Sequence, residues 1–283
     1  AGAALVTLMV VVSAAYAGFA VLWGFNYGRQ PFAVIAGLEV RPASVDELVE
    51  LCSWLINQTN DLRSEAAEDS RGVMALSGSG GSGGGLETTN DALARAQLGY
   101  DRAAALYPIL GGRYARPKGV LSSALWSYTG TAGMYFPFTG EANVNIAMPA
   151  SEIPFAACHE MAHQRGFARE DEANYIGYLA CRLHPDPDFR YSGSLGATIH
   201  AMNQLYRHDP ERHAELAARY SEPVLRDLRD QSAFWQAHKG TVSEVTNRVN
   251  DSYLKANGQT DGVQSYGRMV DLLLAEFRAQ PGD

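Results

Sequence analysis

The sequence predicts a mostly helical α+β domain with one short sheet, behind an N-terminal transmembrane helix. Three observations carry this reading. Residues 1–28 hold no Asp, Glu, Lys, Arg or His, and the first charge is Arg29. Apolar residues recur at helical spacing from Ser44 onward and again from Ser151 almost to the end. Between those stretches, KGVLSSALWSYTGTAGMYFPFTGEANVNIAMP is rich in glycine, aromatic and β-branched residues, as short strands are.

The first segment, AGAALVTLMVVVSAAYAGFAVLWGF, has the length a helix needs to cross a bilayer. Thr7, Ser13 and Tyr16 are tolerable in lipid, and Trp23 and Tyr27 fall where aromatic rings favour the interface. The competing reading is a signal peptide cleaved after Ala15-Tyr16-Ala17. A basic leading region is missing, and the apolar run continues past that site. The chain opens on Ala1 rather than methionine, so 1–28 is read as the last of several membrane helices, with upstream sequence missing. Residues 29–283 are then one domain attached to the bilayer.

Within it, Ser44-Val45-Asp46-Glu47 is a capping box opening an amphipathic helix. SGSGGSGGG, residues 77–85, is a flexible linker by composition. A second helix runs from about Asn90 to Leu106. Ala142–Met148 alternates, with Val144, Ile146 and Met148 on one face and Asn143, Asn145 and Ala147 on the other, so it reads as a half-buried strand. Val120-Leu121 and Met134–Phe136 are its expected partners. The net charge of −8 and the lack of a basic run argue against nucleic acid. Three cysteines do not make a disulfide framework.

The informative stretch is CHEMAHQRGFAREDEANYIG, residues 158–177. His159 and His163 are four apart, so on a helix they share a face, with Glu160 beside them. Ser151 as N-cap, Pro154 in the first turn and Gly166 just past the end all support that helix. Phe155, Ala156, Ala157, Met161 and Ala162 make it apolar around the motif, which disfavours two solvated histidines. Buried polar groups need a partner, and a metal is one. H-E-x-x-H is the pattern in which two histidines bind zinc and the glutamate is the general base. A hydrolytic zinc keeps three protein ligands. Arg169 stands where an H-E-x-x-H-x-x-G-x-x-H extension needs its third histidine, which rejects that version. Glu170, Asp171 and Glu172 follow the turn as acidic candidates.

DEANYIGYLA resembles the Glu-Ala-Asn signature of the short gluzincins, in which the glutamate binds zinc. The resemblance carries that role to Glu172, with Glu170 as runner-up. A wider likeness spans nearly the whole chain outside the glycine linker. LWGFNYGRQPF, YFPFTGEANVNIAMP, the H-E-x-x-H stretch, FRYSG and NDSYLKANGQTDGVQSYGRMVDLLLA together resemble an uncharacterised bacterial family of unknown function. Its members carry N-terminal membrane helices and an H-E-x-x-H domain. The likeness implies a gluzincin-like zinc metallopeptidase in the bacterial cell membrane, with the catalytic domain outside the cytoplasm.

On this reading Zn2+ sits on His159, His163 and Glu172, and Glu160 moves the proton between water and leaving amine. The substrate is a peptide or protein, held by strand addition to Ala142–Met148 above the metal. In gluzincin-like enzymes such an edge strand precedes the active-site helix, as here. Simple core sheet is the plainer reading of that stretch. Tyr191, Tyr253 and Tyr266 are candidate oxyanion donors, and Asp171 and Asn174 candidate partners of the ligand imidazoles. His184, His200, His208, His213 and His238 read as surface residues. If the helices around Gly166 form a hairpin, Cys158 and Cys181 approach one another and could pair. The alternative function is an inactive, zinc-stabilised membrane scaffold or binding protein.

Overall fold

The computed structural model describes residues 2–78, 85–256 and 269–279. Side chains of residues 247, 249–251 and 253–256 are outside the description. The glycine-rich segment expected at 77–85 falls mostly on residues 79–84, also outside it.

Helix α1, Gly2–Leu22, has no buried residue. Its 21 residues span about 31 Å at 1.5 Å per residue, close to the hydrocarbon thickness of a bilayer. Over Gly2–Gly28 it is long and apolar enough for a membrane anchor or a signal sequence. A 3-10 turn, Gly24–Gly28, leads to the short helix α2, Phe32–Ala36.

Helix α3, Val45–Glu65, starts at the capping box the sequence predicts. The Ser44 hydroxyl accepts from Glu47 N–H at 3.2 Å, and Glu47 accepts from Ser44 N–H at 2.9 Å. Leu48, Leu51, Cys52, Leu55 and Ile56 are buried along one face. Each buried aliphatic of this size contributes roughly 1.5–3 kcal/mol. The predicted helix at 90–106 is two helices, α4 (Leu86–Arg95) and α5 (Gln97–Leu106), divided at Ala96. Helix α6, Ser123–Thr129, sits between the first two strands.

The sheet has three strands, β1 (Lys118–Gly119), β2 (Gly133–Phe136) and β3 (Glu141–Val144), in the order β1-β3-β2. β3 pairs parallel with β1 and antiparallel with β2. The strand predicted at Ala142–Met148 therefore ends early and lies in the middle, with both edges paired. Asn145, expected to face outward, is fully buried. Its amide reaches Ser127 Oγ and the Thr131 carbonyl, which turns the chain out of the sheet.

The helical body follows: α7 (Ile153–Gln164), α8 (Glu170–Arg182), α9 (Pro187–His208), α10 (Pro210–Ala217), α11 (Glu222–His238), α12 (Thr241–Ala256) and α13 (Met269–Ala279). α7 and α8 form a hairpin through Gly166, whose φ of +81° favours glycine. α7 lies on β2 and β3, and α9 packs between α3 and α8. Glu152, not Ser151, is the N-cap of α7, and Pro154 is in its first turn. The Ser151 hydroxyl instead accepts from Gln231.

A buried ion pair ties α3 to α11. Arg63 Nε donates to Asp227 Oδ2 at 2.6 Å, with both side chains essentially unexposed. Asp227 also accepts from the Tyr191 hydroxyl at 2.6 Å and from Met74 N–H at 2.8 Å. Tyr191 is thus committed to the core and is not an oxyanion donor.

Candidate metal centre

The α7 register sets the site. His159 and His163 leave one face of the helix with rings 4.7 Å apart. The turn at Gly166 then brings the start of α8 over that face. Glu170 Oε2 lies 3.2 Å from His159 Nε2 and 3.6 Å from His163 Nε2. One ligand atom from each of the three residues falls within 4.8 Å of the other two.

The acid beside the two histidines is thus Glu170, not the Glu172 that the resemblance implies. Glu172 faces the other way, and its Oε1 accepts from the backbone N–H of Phe32, the first residue of α2, at 2.8 Å. The reason is helical phase. At 3.6 residues per turn, positions two apart differ by about 200°, so Glu170 and Glu172 leave opposite sides of α8.

Both imidazoles are held from behind. His159 Nδ1 is 2.9 Å from Asn174 Oδ1, and His163 Nδ1 is 2.7 Å from the Phe167 carbonyl. These two acceptors call for a proton on each Nδ1, which leaves each Nε2 free to bind toward Glu170. Asn174 thus does what the sequence suggests for it. Asp171 lies within the first turn of α8, not at its cap.

The donor set fits zinc. Ligand atoms about 2.0–2.1 Å from one tetrahedral ion stand roughly 3.3 Å apart, and the two separations to Glu170 bracket that value. Two imidazole nitrogens and one carboxylate oxygen also leave the fourth position open. Without an ion the same groups form an ion-pair cluster. Burial pulls the His163 imidazolium down, but the Glu170 and Glu160 carboxylates carry it up to about 9. Burial raises Glu170, and the two histidines outweigh it and hold the carboxyl well below the usual range.

Glu160 is buried, and Oε2 has no hydrogen-bond partner among the described residues. Burial pushes its carboxyl up, against the pull of the two histidines. Gly133 is the neighbour that makes room. A Cβ there would stand 2.5 Å from Glu160 Oε1.

A cavity of about 800 Å³ contains these groups. β2 forms one wall, so the strand beside the cluster is β2 and not Ala142–Met148. β2 is paired only with β3 among the described residues, leaving its outer edge as the sheet's margin. Trp23, seen in the sequence only as an interfacial residue, is a wall residue here. It is 7% exposed, and its ring is 5.3 Å from that of His163 at 77°. Local sequence carries no signal for that contact, nor for the Phe167 carbonyl. His200 also lines the cavity, which corrects its surface reading. His184 is corrected too: it is buried, stacked 3.8 Å from Phe189, and bonded to the Arg95 carbonyl. The side chain of Tyr253 and all of Tyr266 lie outside the described residues.

Cys158 and Cys181, one on each arm of the α7–α8 hairpin, are buried free thiols rather than a disulfide. Burial raises the Cys181 thiol well above its ordinary value. Cys158 is not among the metal-facing groups.

The chain belongs to the family described as "Protein of unknown function (DUF3810)", which it matches over residues 1–274. No curated protein and no solved structure matches it.

Proposed function

We propose that this protein is a membrane-anchored, zinc-dependent peptidase with a zincin-like fold. One observation carries the reading. His159, His163 and Glu170 converge at metal-ligand spacing beside Glu160, a buried carboxylate with an unpartnered oxygen. A structural metal site has no need of that second acid. A base next to a metal-activated water does.

His159, His163 and Glu170 would hold the ion, and zinc bound there would polarise a carbonyl and acidify water. Glu160 accepts the proton of the attacking water and returns it to the leaving amine. The space over Gly133 lets that carboxylate reach the site. Asn174 and the Phe167 carbonyl hold the imidazoles in the tautomer that binds. The margin of β2 offers backbone groups to an extended peptide. α1 anchors the domain in the bilayer.

The test is zinc content and peptide hydrolysis on the full chain in detergent. About one zinc per chain, with turnover lost and zinc kept in Glu160→Gln, supports the reading. Zinc bound with no hydrolysis of any peptide would shift the site to the inactive-scaffold alternative. A chain purified without chelator that carries no zinc ends both.

A further inference from the structure

The apolar N-terminal helix and the cavity share a wall. Phe19 and Trp23, one turn apart at the end of the apolar run, line the cavity together with Met134, Phe136 and Phe138. The Trp23 ring lies 5.2 Å from that of Tyr135 on β2. The turn after β2 touches α1. A Cβ at Gly18 would be 3.4 Å from Phe138 Cε1. Gly18 precedes Leu22, the end of α1, by four residues, about 6 Å along the axis. The turn thus reaches one helical turn down the apolar helix. Phe136 and Phe138 remain 44% and 48% exposed there, with rings 5.6 Å apart. For a helix that spans a bilayer, this level is the lipid–water boundary, where aromatic rings are favoured.

The junction is also fastened at several points. Arg29 Nη1 donates to the Arg165 carbonyl at 2.5 Å, and its guanidinium lies 4.2 Å over the Phe167 ring. Phe32 N–H donates to Glu172. These contacts tie the chain just after α1 to both arms of the α7–α8 hairpin. The cavity is therefore held at the depth of the last turn of α1.

We infer that the cavity takes a polypeptide segment lying at the membrane surface, immediately next to the substrate's own membrane anchor. This rests on the peptidase reading and names its substrate class. Chain emerging from a bilayer in extended form carries backbone N–H and C=O groups that are costly to leave unpaired near lipid. The margin of β2 supplies partners for them at that depth, between the last turn of α1 and the ligand cluster. Phe19, Trp23, Phe136 and Phe138 shelter side chains that are already part-way out of water. A segment held far above the bilayer gains none of this.

The experiment uses the full chain in nanodiscs and two doubly acylated peptides of one sequence. In one, the cleavable segment follows the anchor directly. In the other, ten prolines hold it about 31 Å higher, at 3.1 Å per residue. Both are confined to the disc, so surface concentration is matched. Binding is read by photo-cross-linking to the Glu160→Gln protein, and hydrolysis with zinc-loaded wild type. The expected result is at least a tenfold preference for the directly anchored segment in cross-linking, with products mapping to residues 133–138. Equal yields, a preference for the raised segment, or no cross-link with either would overturn the inference, whatever wild type cleaves. If the tenfold preference holds while wild type hydrolyses neither peptide, the peptidase reading fails and interfacial binding stands.

Discussion

Glu172 Oε1 accepts from the backbone N–H of Phe32 at 2.8 Å, so the acid the family signature points to fastens the N-terminus of α2 instead of facing the histidines. A carboxylate at a helix start is favoured by the free N–H groups there. The consequence is an opposed pair of mutants. Glu170→Gln should lower zinc affinity at least a hundredfold, because it removes one of three ligands. Glu172→Gln keeps an acceptor for Phe32 and should leave zinc near one per chain. Titration with a competing chelator measures both, and zinc loss in Glu172→Gln alone would reverse the assignment.

Asn174 acts through His159, to which its Oδ1 is 2.9 Å. Replacing such an outer partner typically costs 10–100-fold in metal affinity or activity. Asn174→Ala should weaken zinc binding by about that factor. Asn174→Asp should restore most of it, since a carboxylate accepts the same proton. A purely structural asparagine would show no rescue.

Gly133→Ala tests the proposed base without altering a ligand. The added Cβ would stand 2.5 Å from Glu160 Oε1 and push the carboxylate aside. Hydrolysis should fall by about a hundredfold or more, the scale of lost general-base catalysis. Zinc content and melting temperature should change little. Unchanged turnover would take Glu160 out of the proton path.

Glu152, at the entry to α7, gives the folded protein a pH signature. Burial raises its carboxyl to about 7, opposed by hydrogen bonds from Trp235 Nε1 and reinforced by Asp230. The folded state therefore holds this proton more tightly than the unfolded chain does. Its stabilisation is complete below the ordinary value of 4.5 and is lost as pH rises through about 7. Because the residue is only partly buried by surface area, the change should be about 1–2 kcal/mol. Glu152→Gln should flatten that slope in denaturant melts run from pH 4.5 to 8.

Asp227→Asn probes the core. It leaves Arg63 charged and 1% exposed, with only the half-exposed Glu68 at 3.1 Å as counter-ion, so the loss should approach the roughly 3–5 kcal/mol of a broken buried pair. The denaturation midpoint should fall accordingly, with zinc affinity unchanged in the fraction that folds.

Part of this protein is legible along the chain because it depends on neighbours in sequence. The i, i+4 spacing puts His159 and His163 on one face, whatever surrounds them. The Ser44–Glu47 box opens α3 by itself, and the length of the charge-free run defines α1. Asn174 was readable as an imidazole partner because it sits near the ligands in sequence. Which acid faces the histidines was not, since the choice between Glu170 and Glu172 turns on the rotation of α8 against α7 after Gly166. A 200° difference in direction separates the two, and only packing sets which side faces inward. β3 likewise looked like the strand beside the site, but strand order comes from long-range pairing, which puts β2 there. Trp23 has no local feature that could foretell His163 as its neighbour, 140 residues away. Sequence alone thus determined α1, the start of α3, the helix that carries the motif and two of the proposed ligands. The tertiary structure decided the third, the wall strand, and the placement of the apolar helix against the site, because each is a contact between segments that only folding brings together.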